Sequence, residues 1–228
     1  MAAARHQNKL FSVTEFGQPF WNRYRFESGL LPPTLARFQG WGFACQHAEP
    51  AIDPSYQQPY ARKQALYPYG IGMDPVTRAG ETLAALIMAR GDVTPSPNLV
   101  LYDQTSSNAM SGAGVSVAGK DVTSLAWMTG LATATAKATI PEQALAFAPN
   151  GATNASGLTQ LVSTITNSAD SRLQRNSTLL RQQGILDGSN KTEVDAGVIQ
   201  GDTGEFVLDQ PNGQFHLTTA RTEALAAN

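Results

Sequence analysis

One segment governs the fold prediction: Leu10-Phe11-Ser12-Val13-Thr14-Glu15-Phe16-Gly17-Gln18-Pro19, continuing as Phe20-Trp21-Asn22-Arg23-Tyr24-Arg25-Phe26-Glu27. Its apolar, β-branched start predicts a strand over residues 9–15 that ends on Glu15, and Gly17 and Pro19 then stop the strand. The loop that follows is rich in aromatic rings and arginines. Because a carboxylate is costly to bury without a task, a strand that delivers Glu15 into such a loop has the layout of a barrel-enzyme site.

Bulk composition narrows the class of protein. The chain has 228 residues, 42% of them hydrophobic, which is enough for one sizeable core or two modest domains. A net charge of -2 gives no reason to expect nucleic acid or an anionic membrane as a partner. A single cysteine excludes an internal disulfide, and three histidines without ligand spacing argue against a metal site.

Targeting signals are also missing from the sequence pattern. No apolar run approaches the ~18 residues that span a bilayer, so we expect no membrane association. The N-terminal residues are polar and do not form the apolar core of a secretory signal. We therefore predict a soluble protein, cytoplasmic by default, and secreted if a longer enzyme carries a signal.

The elements after the first strand predict a βα unit and the next strand of a parallel sheet. Residues 31–39 read as a short helix, with proline tolerated in its first turn and Gly40 closing it. A second short strand is predicted over 41–45. Strand, loop, helix and strand in this order are typical of parallel β-sheets with crossover helices.

Further along the chain, two features are clear and two stay open. Asp74 as N-cap, Pro75 at the first position and Gly91 at the end predict a helix over 75–90, with an apolar face made of Val76, Ala79, Leu83, Leu86 and Ile87. Alternating runs at 204–209 and 213–218 predict a β-hairpin. Residues 178–184 read as the end of a helix with a glycine stop. For 124–137 and 158–168 the pattern leaves helix and strand as alternatives.

Several of these segments resemble retaining glycoside hydrolases built on a (β/α)₈ barrel, the clan that includes cellulases, β-galactosidases, β-mannanases and agarases. Val13-Thr14-Glu15-Phe16-Gly17 is similar to the end of strand seven, and Gln39-Gly40-Trp41 is similar to strand eight. Residues 74–86 and 201–223 also resemble members of this clan, the latter in their β-rich C-terminal part. The resemblance implies an α/β fold: the last two βα units of a partial barrel within 1–100, then an Ala/Ser/Thr-rich segment and β-hairpin region within 101–228.

The resemblance also implies a site and a chemistry. Glu15 would be the nucleophile in retaining hydrolysis of a β-glycosidic bond, with no cofactor, and the substrate-binding residues would be Trp21, Asn22, Arg23, Trp41 and His47. Trp41 would stack on the sugar. Each residue has a plainer interpretation as well: Glu15 as a surface acid, the tryptophans as core or interface rings, Asn22 and Arg23 as loop residues, and His47 as a structural residue.

The sequence departs from the family pattern in lacking the acid/base motif, and this departure leads us to expect a second chain as partner. A retaining glycosidase needs two carboxylates about 5–5.5 Å apart, and the Asn-Glu pair that carries the acid/base in this clan does not occur in the sequence. Only Glu27, Glu49 and Asp53 are near Glu15 in sequence. The chain therefore reads as a C-terminal portion that acts on carbohydrate with a second copy or a complementing N-terminal barrel half. The alternatives are a non-catalytic carbohydrate-binding or assembly module, and a structural fragment that oligomerises through a sheet edge.

Overall fold

The computed structural model describes residues 4–19, 21–47, 69, 74–104, 124–135, 145–148, 160–162 and 169–227. These residues form a mixed α/β structure with helices α1 (Leu31–Phe38), α2 (Pro75–Arg90) and α3 (Ala169–Gln182), and a 3₁₀ turn at Arg25–Gly29. The strands are β1 (Ser12–Phe16), β2 (Phe43–Gln46), β3 (Leu99–Gln104), β4 (Gly130–Thr135), β5 (Leu145–Ala148), β6 (Gln160–Val162), β7 (Val198–Gln200), β8 (Phe206–Asp209), β9 (Gln214–Thr218) and β10 (Glu223–Ala227).

The first unit, β1–α1–β2, confirms the predicted parallel strand pair. Strands β1 and β2 pair in parallel, with Ser12 opposite Phe43 and a shift in register before Phe16. Both strands begin later than the sequence predicted. Leu10 is 96% exposed and lies outside β1, and the chain turns just before it at Asn8, which has a φ of 58°. Predicted helix 31–39 is confirmed as α1, and Gly40 follows it with a φ of 65°.

A second, four-stranded sheet is parallel throughout and has the order β4-β3-β5-β6. Its two longest strands, β3 and β4, have buried apolar side chains on successive residues: Val100 and Leu101 in β3, and Leu131 and Ala132 in β4. Such unbroken burial is typical of parallel strands covered on both faces. For the segment 124–137, which was left open between strand and helix, the structure shows a single strand over Gly130–Thr135, preceded by a turn. The N-terminal residues 5–7 add to the β4 edge through two backbone hydrogen bonds with Thr133.

Helix α2 confirms the predicted boundaries and part of the predicted face: Leu83 and Ile87 pack on the core, whereas Ala79 is exposed. The Asp74 side chain accepts a hydrogen bond from the Val76 backbone, and Gly91 ends the helix in the left-handed conformation. Ile87 is fully buried, whereas Leu86 is 40% exposed. The face that packs is rotated toward Gly80, where α2 crosses the 3₁₀ turn so closely that a Cβ on Gly29 would lie 2.3 Å from the Gly80 Cα.

The C-terminal residues form an antiparallel sheet with the order β10-β9-β8-β7. The predicted hairpin is confirmed, since Phe206 pairs with Leu217 and Leu208 with Phe215 across β8 and β9. The inner face of this sheet packs on α1 and α2: its buried cluster joins Phe206, Phe215, Leu217 and Ala226 to Leu30, Phe38, Ile87 and Val93. Trp127 packs against this cluster and against the larger cluster under the parallel strands. The predicted α/β class is therefore present, although no partial barrel is visible among the described strands.

Candidate functional site

Glu15 lies next to the last residue of β1, where the paired strand β2 also ends. Its side chain is 71% exposed. The chain leaves β2 through His47, whose backbone N–H donates to the Phe16 carbonyl at 2.6 Å and so extends the parallel ladder past both strand ends. Gly17 permits this approach, because a Cβ there would be only 3.3 Å from the His47 carbonyl oxygen.

Three side chains meet at this end of the strand pair. The His47 Nδ1 is 3.8 Å from the Glu15 Oε2. The ring of Tyr69 contacts the imidazole of His47 edge-to-face, with centroids 5.1 Å apart and planes at 75°. We call Glu15, His47 and Tyr69 the Glu15 cluster. It brings together the expected nucleophile, Glu15, and one of the expected substrate-binding residues, His47, and it adds a phenol that the sequence did not indicate.

Trp41 is not part of the Glu15 cluster. It precedes β2, so in a parallel pair it lies at the opposite end from Glu15. Its side chain is only 5% exposed, and its ring packs edge-to-face on Phe11 at 5.2 Å. The expectation that Trp41 stacks on a sugar beside Glu15 is corrected accordingly: the ring is buried in the core cluster under the parallel strands.

The loop residues predicted to bind carbohydrate have different surroundings. The Trp21 side chain is 69% exposed. The Asn22 Oδ1 accepts from the Tyr24 backbone N–H at 2.9 Å, which makes Asn22 a turn residue. The Arg23 guanidinium lies 4.6 Å from the centre of the Tyr24 ring, a cation–π contact. Of these three side chains, Trp21 is the one that offers an open apolar face.

Arg25 forms an ion pair with Asp74, a partner that the sequence did not indicate. Its guanidinium donates to both oxygens of Asp74, at 2.6 Å and 3.1 Å, and Asp74 is at the same time the N-cap of α2. The hydrogen bond from Arg25, supported by those from Thr77 and Val76, lowers the pKa of Asp74 to about 2. The same pair raises the pKa of Arg25. This ion pair anchors the loop after β1 to the first turn of α2.

A second carboxylate next to Glu15 is not identified within the described residues. Glu27 lies in the 3₁₀ turn, where its carbonyl accepts from Leu30. The other two candidates, Glu49 and Asp53, lie outside the described residues.

Cys45, which its apolar strand suggested would be buried, is exposed.

Asp202 forms a polar centre that the sequence analysis missed. Its Oδ2 accepts hydrogen bonds from Ser96, Asn98 and Thr129 at 2.6–3.0 Å. Burial raises the pKa of the Asp202 carboxyl, although these three donors oppose the rise. Glu205 accepts from the backbone and side chain of Thr94 nearby, both at 2.7 Å. The Asp-Thr-Gly-Glu segment therefore binds the loop before β3, a structural role.

The missed residues share one property: their partners are distant in sequence. Tyr69 stands in Tyr67-Pro68-Tyr69-Gly70, which reads as an ordinary turn, and only the fold brings it to His47. For Asp202 a weak signal existed, because a position two residues after the buried strand β7 is unusual for a solvated acid.

Comparisons with family models, with curated proteins and with solved structures found no match to this chain. Among the described residues, no three His, Cys, Asp or Glu side chains converge so that they could hold a metal ion. No helix in the same part of the chain is both long and apolar enough to cross a bilayer.

Proposed function

We propose that this chain is the nucleophile-bearing, C-terminal portion of a retaining β-glycoside hydrolase, in which β1–α1 and β2–α2 correspond to the last two βα units of a (β/α)₈ barrel. The observation that carries the proposal is the position of Glu15 at the carboxyl end of a parallel strand pair, beside His47 at 3.8 Å. In parallel α/β folds, catalytic groups gather at this end of the strands because the loops that follow them converge there.

The chemistry that follows is a double displacement. A Glu15 oxygen attacks the anomeric carbon of a β-glycoside, the bond from that carbon to the leaving oxygen breaks, and the leaving oxygen takes a proton from a carboxylic acid. Water then gives a proton to the resulting carboxylate and attacks the same carbon. This step releases the sugar with its original configuration and restores the Glu15 carboxylate. No cofactor takes part.

The mechanism also needs a general acid, and no carboxyl group next to Glu15 was identified for this role within the described residues. We propose that it comes from a complementing N-terminal barrel half or from a second copy of the chain. The general-acid step contributes about 10²–10⁴-fold to the rate, so the chain alone should hydrolyse ordinary glycosides slowly. A substrate whose leaving group departs without a proton avoids this difficulty and tests Glu15 directly.

The experiment uses 2,4-dinitrophenyl 2-deoxy-2-fluoro-β-glycosides of glucose, galactose and mannose. Dinitrophenolate leaves without acid assistance, and the fluorine slows the hydrolysis of the glycosyl-enzyme, so a nucleophile accumulates as its ester. We expect one sugar to be added to the chain and peptide mass spectrometry to place it on Glu15. Glu15→Gln should abolish the labelling, whereas Glu27→Gln, a neighbouring acid in the 3₁₀ turn, should leave it unchanged.

A second function, carbohydrate binding without catalysis, is favoured by one observation: the indole of Trp21 is 69% exposed. Open aromatic rings stack on the apolar faces of sugars. If this is the function, polysaccharide binding measured by affinity electrophoresis will be lost in Trp21→Ala and kept in Glu15→Gln, and no sugar will be attached covalently to either protein. Labelling of Glu15 decides for the enzyme.

A further inference from the structure

Resting on the proposed function, we propose that His47 is the positioning residue of Glu15, and that the ring of Tyr69 fixes the orientation of the His47 imidazole. In this arrangement His47 acts on the nucleophile and not on the sugar. In the Glu15 cluster the Tyr69 ring contacts the His47 imidazole, and the imidazole in turn faces the Glu15 carboxylate. These two contacts would orient one oxygen of Glu15.

The backbone delivers His47 to this position. Its N–H bond to the Phe16 carbonyl is 2.6 Å long and continues the β1–β2 ladder. On its other side the His47 carbonyl lies close to Gly17, where a Cβ would be only 3.3 Å from the carbonyl oxygen. The backbone of His47 is thus held at the strand ends, and this places its Cα, and so its side chain, next to Glu15.

The side-chain contacts orient the ring. Its Nδ1 is the nitrogen that faces Glu15, 3.8 Å from Oε2, and the edge-to-face contact with Tyr69 restricts rotation of the imidazole. Glu15 and Tyr69 are the titratable groups that contact His47 among the described residues. Catalytic hydrogen bonds are often long in the free protein and tighten when substrate is bound.

Stability does not explain the arrangement. The side chains of His47 and Glu15 are 47% and 71% exposed, and ion pairs between exposed groups contribute little to folding. In the proposed arrangement a donor that engages Oε2 leaves Oε1 of Glu15 as the oxygen that attacks. Small errors in the placement of a nucleophile can lower a rate by about 100-fold.

The test measures how fast the activated 2-fluoro-glycoside labels Glu15, as a maximal rate constant and a half-saturating concentration. In His47→Ala we expect the maximal rate constant to fall by about 10- to 100-fold with an unchanged half-saturating concentration, because the carboxylate is no longer aimed. If His47 contacts the sugar instead, the half-saturating concentration will rise and the maximal rate constant will stay the same. That result overturns the proposal.

Two conservative variants sharpen the result. The amide nitrogen of an asparagine occupies nearly the position of Nδ1, and that of a glutamine nearly the position of Nε2. His47→Asn should therefore keep most of the labelling rate, and His47→Gln should behave like His47→Ala. For Tyr69, the variant Tyr69→Phe keeps the ring and should label normally, whereas Tyr69→Ala should lower the maximal rate constant.

A second measurement does not depend on glycosidase activity. In ¹H–¹⁵N spectra of the imidazoles, Glu15→Gln should move the His47 signals and leave those of His216, which lies beside Gln214, in place. Unmoved His47 signals would show that the contact is not formed in solution, and this overturns the proposal even if Glu15 is labelled. Moved signals in a chain whose Glu15 cannot be labelled would instead remove the proposed function, and with it the positioning role.

Discussion

Arg25 and Asp74 are 49 residues apart in the chain, and the Arg25 guanidinium donates to both oxygens of the Asp74 carboxylate. The carboxylate is almost fully buried, with a side-chain exposure of 2%. This pair fixes the aromatic loop after β1 against the start of α2, so it governs both the stability of the fold and the geometry of the loop that carries Trp21.

The first prediction concerns acid stability. The pKa of Asp74 is lowered from 3.8 to about 2, chiefly by the Arg25 hydrogen bond. Because the folded-state pKa lies below the unfolded-state value, the stabilisation is complete above about pH 4 and is lost as the pH falls through about 2, a contribution of about 2 kcal/mol. Asp74→Asn should therefore lower the free energy of unfolding at pH 7, and the difference from the natural chain should shrink below pH 4. Urea denaturation between pH 2 and 7 measures it, with Glu81→Gln on the exposed side of α2 as control.

The second prediction has the opposite dependence on pH. Burial raises the pKa of Asp202, so ionisation of this group favours unfolding. The protonated Asp202 contributes fully to stability below the pKa that this group has in the unfolded chain. The contribution declines as the pH rises through the pKa of the folded state. The stability of the natural chain relative to Asp202→Asn should fall from pH 3 to pH 7. Asp195→Asn, at an exposed position, should show no such trend. A difference that grows with pH would contradict this account of Asp202.

The third prediction tests the contact between α2 and the 3₁₀ turn. A Cβ on Gly29 would lie 2.3 Å from the Gly80 Cα, whereas one on Gly80 would lie 3.2 Å from the Gly29 Cα. Gly29→Ala should destabilise the fold by about 1–3 kcal/mol because backbone must move. Gly80→Ala should cost less, since alanine also favours the helix by about 1 kcal/mol. Gly188, which has no atom within 4 Å of such a Cβ, provides the control. Equal losses at Gly29 and Gly188 would be inconsistent with a close crossing.

The fourth prediction concerns Gln39, whose buried amide is fully used. Its nitrogen donates to the carbonyls of Ala126 and Thr129 at 2.6 Å and 2.8 Å, and its oxygen accepts from the Leu131 backbone at 2.9 Å. Gln39→Leu keeps the volume but leaves these backbone groups unpaired, at about 1–3 kcal/mol for a buried group. Gln183→Leu, on the surface at the end of α3, should change stability by less than about 0.5 kcal/mol. Chemical denaturation of both variants checks the comparison.

Local signals made much of the fold predictable. The cap at Asp74, Pro75 and the glycine stop at Gly91 specify α2 within single residues, and the alternation on both sides of Pro211 specifies the hairpin. These patterns involve neighbours in sequence. The parallel β1–β2 pair was predictable as well, because a strand, a short helix and another strand have few ways to pack.

Other features depend on contacts that no local pattern encodes. The packing face of α2 was only partly predicted, because Gly80 has no side chain that could mark it as a packing position, although this lack of a side chain is what allows the close crossing with Gly29. The position of Trp41 beside Glu15 was inferred from the family resemblance and not from the strand pattern, and β2 begins only after Trp41, at Phe43. The partner of Arg25 and the contact of Tyr69 with His47 arise only from the tertiary structure.

The edge-to-face contact between Phe38 and Phe206, with ring centroids 4.9 Å apart, has a consequence for synthesis in the cell. Phe38 lies on α1, whereas Phe206 lies on β8, 168 residues (206 − 38) later in the chain. During translation α1 must keep this apolar face exposed until the C-terminal strands leave the ribosome, so the chain depends on late, long-range closure. Such topologies fold slowly and expose aggregation-prone surface while incomplete, and a nascent chain of this kind is a natural client for chaperones.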